Sequence, residues 1–181
     1  MGLLNRKEQE MYIQYARDSI AWKLGLIEKE PEMEPQGESL GAFITLKKSG
    51  NLRGCIGNIH SDRPLSETIR DMALSAAFHD PRFLPLKAEE VDLISIEISI
   101  LSPLKKVEDR DRIKIGRDGL LVKNGFSSGL LLPQVATEQN WDIETFIEHT
   151  FRKAGLDPQK IDDPLTEIYS FTAEVFNEED L

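Results

Sequence analysis

The sequence predicts an α+β fold, with a mostly antiparallel sheet and flanking helices. Segments that alternate between apolar and polar residues are joined by tight turns, which is typical of antiparallel hairpins. Segments with helical spacing lie between them, but without the regular strand–helix–strand order of a doubly wound nucleotide-binding fold. Of the 181 residues, 40% are hydrophobic and 30% are charged, as in folded globular proteins.

The first predicted element is a helix that follows Asn5 and ends near Leu24. Asn5 and Glu8 have the spacing of a capping box, and apolar side chains recur after them at helical spacing. Residues 28–38 contain five glutamates and two prolines. This composition predicts a solvated acidic connector.

A β-hairpin is predicted next, because Ala42–Lys48 alternates in polarity, turn residues follow, and a second strand begins at Leu52. A helix is predicted after Pro64. It ends near Asp80, since Pro81 disfavours helical geometry at the residue before it. The clearest strand spans residues 93–101, where isoleucines alternate with serine and glutamate.

The remaining predicted elements are shorter. Strands are expected at 113–115, 120–123, 130–132 and 168–176, with an Asn-Gly turn at 124–125. Pro133 is expected to begin a short helix. Asp142 is expected to cap a longer helix that ends at Gly155.

Charge and cysteine content restrict the function classes. With 22 basic and 32 acidic residues the net charge is −10, which predicts no generic nucleic-acid binding through a basic face. A single cysteine allows no intramolecular disulfide and fits a reducing compartment. The first residues include no apolar stretch of signal-peptide or membrane-span length, so we expect a cytoplasmic protein without membrane contact.

The segment 52–57, Leu-Arg-Gly-Cys-Ile-Gly, is the first candidate site. On an extended strand, Arg53 and Cys55 leave the same face, and a nearby guanidinium favours the thiolate form. Gly54 and Gly57 allow a ligand or another backbone to approach closely. The alternative is a small buried cysteine whose glycine neighbours mark tight packing.

The second candidate is the turn from His79 to Phe83. Arg82 is a candidate to bind a carboxylate or phosphate, with Asp80 orienting it. The alternative is a helix-stop turn in which Asp80 and Arg82 satisfy each other.

The third candidate is the strand-to-helix junction at 129–135, where Gln134 lies at a helix start that favours anions. Glu138 follows one turn later on the same face. The three histidines and one cysteine lack metal-ligand spacing, and the glycine-rich nucleotide motifs are absent. No metal and no cofactor are therefore predicted.

Taken together, these segments resemble the AMMECR domain family. The resemblance covers the chain from about residue 41 to residue 176. It rests on six blocks that occur in the family's order: residues 52–57, 76–85, 98–103, 129–141, 153–156 and 171–176.

The resemblance implies a two-lobed α+β protein whose larger lobe combines both chain ends, with segment 52–57 near a cleft between the lobes. It also implies work beside a radical S-adenosylmethionine protein and a Memo-like protein, as part of a modification pathway.

Two functions remain open. In an enzyme, Cys55 would be the nucleophile, Arg53 its activator, Asp80 and Arg82 the substrate-orienting pair, and Glu138 the proton-transfer group. In a non-catalytic ligand-binding or adaptor module, the same cleft would hold a small ligand or a segment of a partner enzyme, with Cys55 buried beneath the surface.

Overall fold

The structure is a computed structural model that describes residues 3–181. The chain divides into two compact units. The second unit is Ser102–Ala173, and the first combines the residues before Ser102 with Glu174–Leu181. None of the helices among the described residues is both long enough and apolar enough to cross a bilayer.

Four α-helices and seven strands make up the described chain, together with four short 3-10 helices. The helices are α1 (Arg6–Lys23), α2 (Leu65–Phe78), α3 (Pro133–Glu138) and α4 (Ile143–Lys153). The strands are β1 (Ala42–Lys48), β2 (Asn51–Asn58), β3 (Ile94–Leu101), β4 (Lys105–Lys106), β5 (Asp118–Asn124), β6 (Ser127–Leu131) and β7 (Thr166–Asn177). The 3-10 helices are Ala88–Leu93, Arg110–Arg112, Pro158–Asp162 and Glu178–Asp180.

In the first unit an antiparallel sheet lies against α1 and α2. Its strand order is β2-β1-β3-β7, and the part of β7 from Glu174 onward belongs to this unit. Alternate residues of β1 and β3 form one fully buried apolar face, which packs against the helices. Thr45, Glu97 and Ser99 point to the opposite face, as the alternation predicts.

Residues 174–181 are held in the first unit by contacts with α1 and with the residues just before it. Glu174 accepts hydrogen bonds from the backbone nitrogens of Leu3 and Leu4 and from the Gln9 amide. Arg17 forms an ion pair of 2.5 Å with Glu178. Arg17 also donates to two backbone carbonyls of the segment that leads into β3.

The second unit is built on an antiparallel sheet in the order β7-β5-β6, with β4 paired to β7. Helices α3 and α4 pack on one face of this sheet. The core between them contains Leu120 and Val122 from β5 and Phe146 and Phe151 from α4.

The predicted α+β class and the main helices are confirmed. Asn5 and Glu8 form the expected capping box at the start of α1. The Asp142 side chain accepts from the backbone nitrogen of Thr145 and caps α4. Gly155, at φ +70°, ends that helix in the left-handed conformation that glycine adopts at low cost.

The strand predicted at 113–115 is wrong, because these residues enter a turn. The Asp118 carboxylate accepts a 2.8 Å hydrogen bond from the Lys114 backbone nitrogen, and Gly116 has φ +79°. The strand predicted from residue 93 instead starts at Ile94, after the 3-10 helix Ala88–Leu93. The two-residue strand β4 carries no sequence pattern that would have predicted it.

Candidate functional site

Cys55 lies in β2, on the sheet face that points away from α2. A side chain at Gly54 would collide with the Ala76 carbonyl of α2, so position 54 faces that helix. Successive residues of a strand point to opposite faces, so Cys55 points to the sheet face away from α2. Thr45 is opposite Cys55 in the β1–β2 pairing, and its hydroxyl donates to Cys55 Sγ at 3.3 Å. The Cys55 side chain is half-buried, so the thiol is neither sealed in the core nor fully exposed.

A buried carboxylate fixes the backbone of Cys55. Asp80 follows the end of α2, is 4% exposed, and accepts the Cys55 backbone N–H at 2.8 Å. It also accepts the Arg82 backbone N–H at 3.1 Å. Hydrogen bonds from the Arg82 side chain, and then those from the two backbone groups, hold the pKa of Asp80 well below its usual range despite burial. Asp80 is therefore charged near neutral pH.

Arg82 forms a two-point pair with Asp80 and also reaches Cys55. Its Nε and Nη2 donate to the two Asp80 oxygens at 2.9 and 2.7 Å, and Nη2 also donates to the Cys55 carbonyl at 3.2 Å. The pKa of Arg82 is raised, first by Asp80 and to a smaller degree by the Cys55 side chain. About half of the Arg82 side chain stays exposed, which leaves its outer edge open to a ligand.

Arg53, the expected activator of the thiol, pairs with Glu90. Its Nε and Nη2 donate to the two Glu90 oxygens at 3.0 and 2.9 Å, and Lys48 adds a third contact at 2.9 Å. The Arg53 hydrogen bonds are the main cause that lowers the pKa of Glu90 to about 2. The cation beside Cys55 is thus Arg82, while Arg53 holds the segment that precedes β3.

The close approaches expected at the two glycines occur, and the approaching groups belong to the protein itself. A Cβ atom at Gly54 would lie 2.2 Å from the Ala76 carbonyl oxygen. A Cβ atom at Gly57 would lie 2.3 Å from the Phe43 ring. Both glycines are therefore required by the packing of β2 against its neighbours.

Gln134 and Glu138 belong to the second unit, within α3. The Gln134 side-chain oxygen is buried and has no hydrogen-bond partner among the described residues. Glu138, at the end of α3, is exposed. The other predicted site residues, from Arg53 to Arg82, all lie in the first unit.

Sequence reasoning missed Thr45 and Glu90. Thr45 could not have been found from the hairpin alone, because pairing outward from the turn places it opposite Gly54, and only a register shift between Leu46 and Lys47 moves it opposite Cys55. Glu90 is 37 residues from Arg53 and lies in a short 3-10 helix, so no local pattern pointed to it. Within residues 3–181, no group of three or more His, Cys, Asp or Glu side chains is arranged to hold a metal ion.

Comparison with known proteins places the chain among archaeal relatives. A protein of Methanothermobacter thermautotrophicus is 48% identical over 77% of this chain and 76% of its own length. Protein MJ0810 of Methanocaldococcus jannaschii is 43% identical over 98% and 94%. The crystal structure of PH0010 from Pyrococcus horikoshii has a TM-score of 0.90 at 40% identity, covering 98% of this chain and 95% of that one. The AMMECR1 family model matches residues 13–176, and the chain belongs to that family.

Proposed function

We propose that the first unit carries a thiol site at which Cys55 acts as a nucleophile toward a small electrophilic substrate. One observation carries the proposal: a single buried carboxylate, Asp80, holds both the backbone of Cys55 and the guanidinium of Arg82. The nucleophile and the cation beside it are therefore positioned together before any ligand arrives, which is how preorganised sites act.

Each group has a role in this proposal. The Cys55 thiol loses its proton to solvent and the thiolate adds to a carbonyl carbon of the substrate, so that the C–S bond forms as the C=O π bond breaks and its electron pair moves to the oxygen. The exposed edge of Arg82 binds that oxyanion or an anionic group of the substrate. Thr45 donates to the sulfur at 3.3 Å and orients it. Asp80 is a positioning residue, since its oxygens are occupied by four donors. Glu138 stays a prediction for proton transfer.

The biological setting is part of the same proposal. From the family resemblance, the reaction would belong to a modification pathway shared with a radical S-adenosylmethionine protein and a Memo-like protein. A single cysteine that acts as a free thiol fits the cytoplasm.

A second function is favoured by the packing around β2. Arg53 is fully engaged by Glu90, and the free sides of Gly54 and Gly57 are filled by protein atoms. These contacts suit a non-catalytic module in which β2 is structural. In that case, the exposed edge of Arg82 would hold a small ligand or a partner enzyme.

Alkylation by iodoacetamide from pH 5 to pH 10, followed by intact mass, separates the two functions. Cys55 is the only cysteine, so every adduct formed on the folded protein reports on it. We expect labelling without denaturation and a several-fold lower rate in Arg82→Gln, because the adjacent cation is lost.

The matched control is Arg63→Gln, which removes the same charge from an arginine that pairs with Asp71. It should leave the rate unchanged. If labelling requires denaturation, or if both variants slow it equally, Cys55 is not the nucleophile. Binding assays with partner proteins, comparing the same two variants, would then test the second function.

A further inference from the structure

The second unit contains a cavity of about 300 Å³ whose walls are basic and rich in hydroxyl groups. It is lined by Ser102, Lys105, Arg117, Asp118, Ser170, Phe171 and Thr172. A neighbouring cavity of about 320 Å³ shares Lys105, Arg117, Asp118 and Ser170 with it. This volume is at the lower end of the range for small-molecule sites. None of these residues takes part in the Cys55 site.

The strand pairing explains why the polar groups gather here. Along β5 and β7, Val122 is opposite Ile168 and Leu120 is opposite Ser170, and these residues share the face covered by the helices. The next pair on that face is Asp118 with Thr172. The apolar core thus ends at Leu120, and polar side chains continue the same face.

Strand β4 adds a cation to this polar end. Lys105 pairs with Ser170 in the β4–β7 ladder, and its side chain lines both cavities. Its ammonium group has no ion-pair partner within residues 3–181, whereas the adjacent Lys106 is paired with Glu167 at 2.8 Å. The Ser170 hydroxyl likewise has no hydrogen-bond partner in the described part of the chain.

Arg117 supplies the second cation in a fixed orientation. Its Nε and Nη2 donate to the two Asp118 oxygens at 2.7 and 2.6 Å, and about half of its side chain is exposed. Burial alone would raise the pKa of Asp118, but the guanidinium and the Lys114 backbone N–H outweigh it and lower that pKa. Asp118 is therefore charged and accepts three hydrogen bonds, and the half-exposed Arg117 side chain lines both cavities.

The distribution of carboxylates indicates that the cavity of about 300 Å³, the narrower of the two, is the better site for an anion. Glu108 and Asp109 line the wider cavity, whereas Asp118 is the one carboxylate that lines the narrower one. The protein as a whole is acidic, with a net charge of −10. Two cations and a free hydroxyl at one small cavity therefore make this cavity favourable for an anion, unlike most of the surface.

We propose that this cavity binds the phosphate group of a small molecule. Lys105 contributes a point charge, the outer edge of Arg117 contributes a second, and Ser170 donates a hydrogen bond. Two cations match the double negative charge of a phosphate monoester. The site is independent of the Cys55 chemistry, because its residues belong to the other unit.

The test is a titration of the full chain with inorganic phosphate and with glycerol phosphate at constant ionic strength, followed by calorimetry or amide chemical shifts. We expect saturable binding of at least one of them, with shifts at Ser170 and its neighbours. Lys105→Gln should weaken this binding about 10-fold or more, since a charge-assisted contact is lost. Ser170→Ala should weaken it less. Acetate should bind more weakly.

Lys160→Gln is the matched control, because it removes the same charge from an exposed lysine of the same unit that lines neither cavity. Tighter binding of glycerol phosphate than of inorganic phosphate would support an esterified ligand. Equal binding would support free phosphate as the ligand. Absence of saturation, or equal weakening by Lys105→Gln and Lys160→Gln, would overturn the proposal.

Discussion

Each of the two units contains an ion pair between a buried aspartate and a half-exposed arginine. In the first unit Asp80 binds Arg82, and in the second Asp118 binds Arg117, each through Nε and Nη2. Each aspartate also accepts a backbone N–H at 2.8 Å. Both aspartates have lowered pKa values, so both pairs are charged.

The two pairs differ in how far along the chain they reach. The Asp80 carboxylate binds the backbone of Cys55, 25 residues away, and so joins the end of α2 to β2. The Asp118 carboxylate binds only groups within four residues of itself and closes a local turn. The same local chemistry therefore serves tertiary structure in one unit and turn formation in the other.

The largest effect is expected at Asp80. Asp80→Asn keeps the shape but loses the charge that four donors require, leaving buried groups poorly satisfied. We expect a loss on the order of 2–4 kcal/mol in the free energy of unfolding, measured by urea denaturation. Asp92→Asn, at an exposed position, is the control and should change little.

Asp118→Asn should lower the free energy of unfolding by less, roughly 1–2 kcal/mol. The contacts of Asp118 are local, and it accepts three hydrogen bonds where Asp80 accepts four. Amide hydrogen exchange should show faster opening confined to residues around 114–118. A loss as large as that of Asp80→Asn, or faster exchange throughout the chain, would contradict the distinction between the two pairs.

An effect of the same size as that of Asp118→Asn, but present only in acid, is expected in the first unit. The pKa of Glu90 is about 2, below its ordinary value of 4.5, so its ionised form stabilises the fold. This contribution is complete above about pH 4.5 and is lost as the pH falls toward 2. Between pH 6 and pH 3, Glu90→Gln should therefore lose less stability than the unchanged protein, by roughly 1–2 kcal/mol. An identical fall in both would show that the pair with Arg53 contributes nothing.

Local structure could be predicted from the sequence because its causes are local. The isoleucines of β3 and the caps at Asn5 and Asp142 act within a few residues, and the structure has them as expected. The mutual pairing of Asp80 and Arg82, weighed as the alternative to ligand binding, also spans two residues and is present.

Contacts between distant segments escaped prediction. Arg82 meets Cys55 across 27 residues, and Arg53 meets Glu90 across 37. Sequence spacing on one strand favoured Arg53 as the cation beside the thiol. That spacing fixes the face on which a side chain lies, but it carries no information about which other segment supplies a competing carboxylate.

The division of the first unit into two separate stretches has a consequence for synthesis on the ribosome. Residues 174–181 are translated after the whole of the second unit, yet Glu174 and Glu178 bind α1 and the strand order of the first sheet ends with β7. The second unit is one contiguous stretch and is complete before residues 174–181 are made. The first must wait with its sheet edge unpaired, so a nascent chain arrested before residue 174 should expose that edge to chaperones.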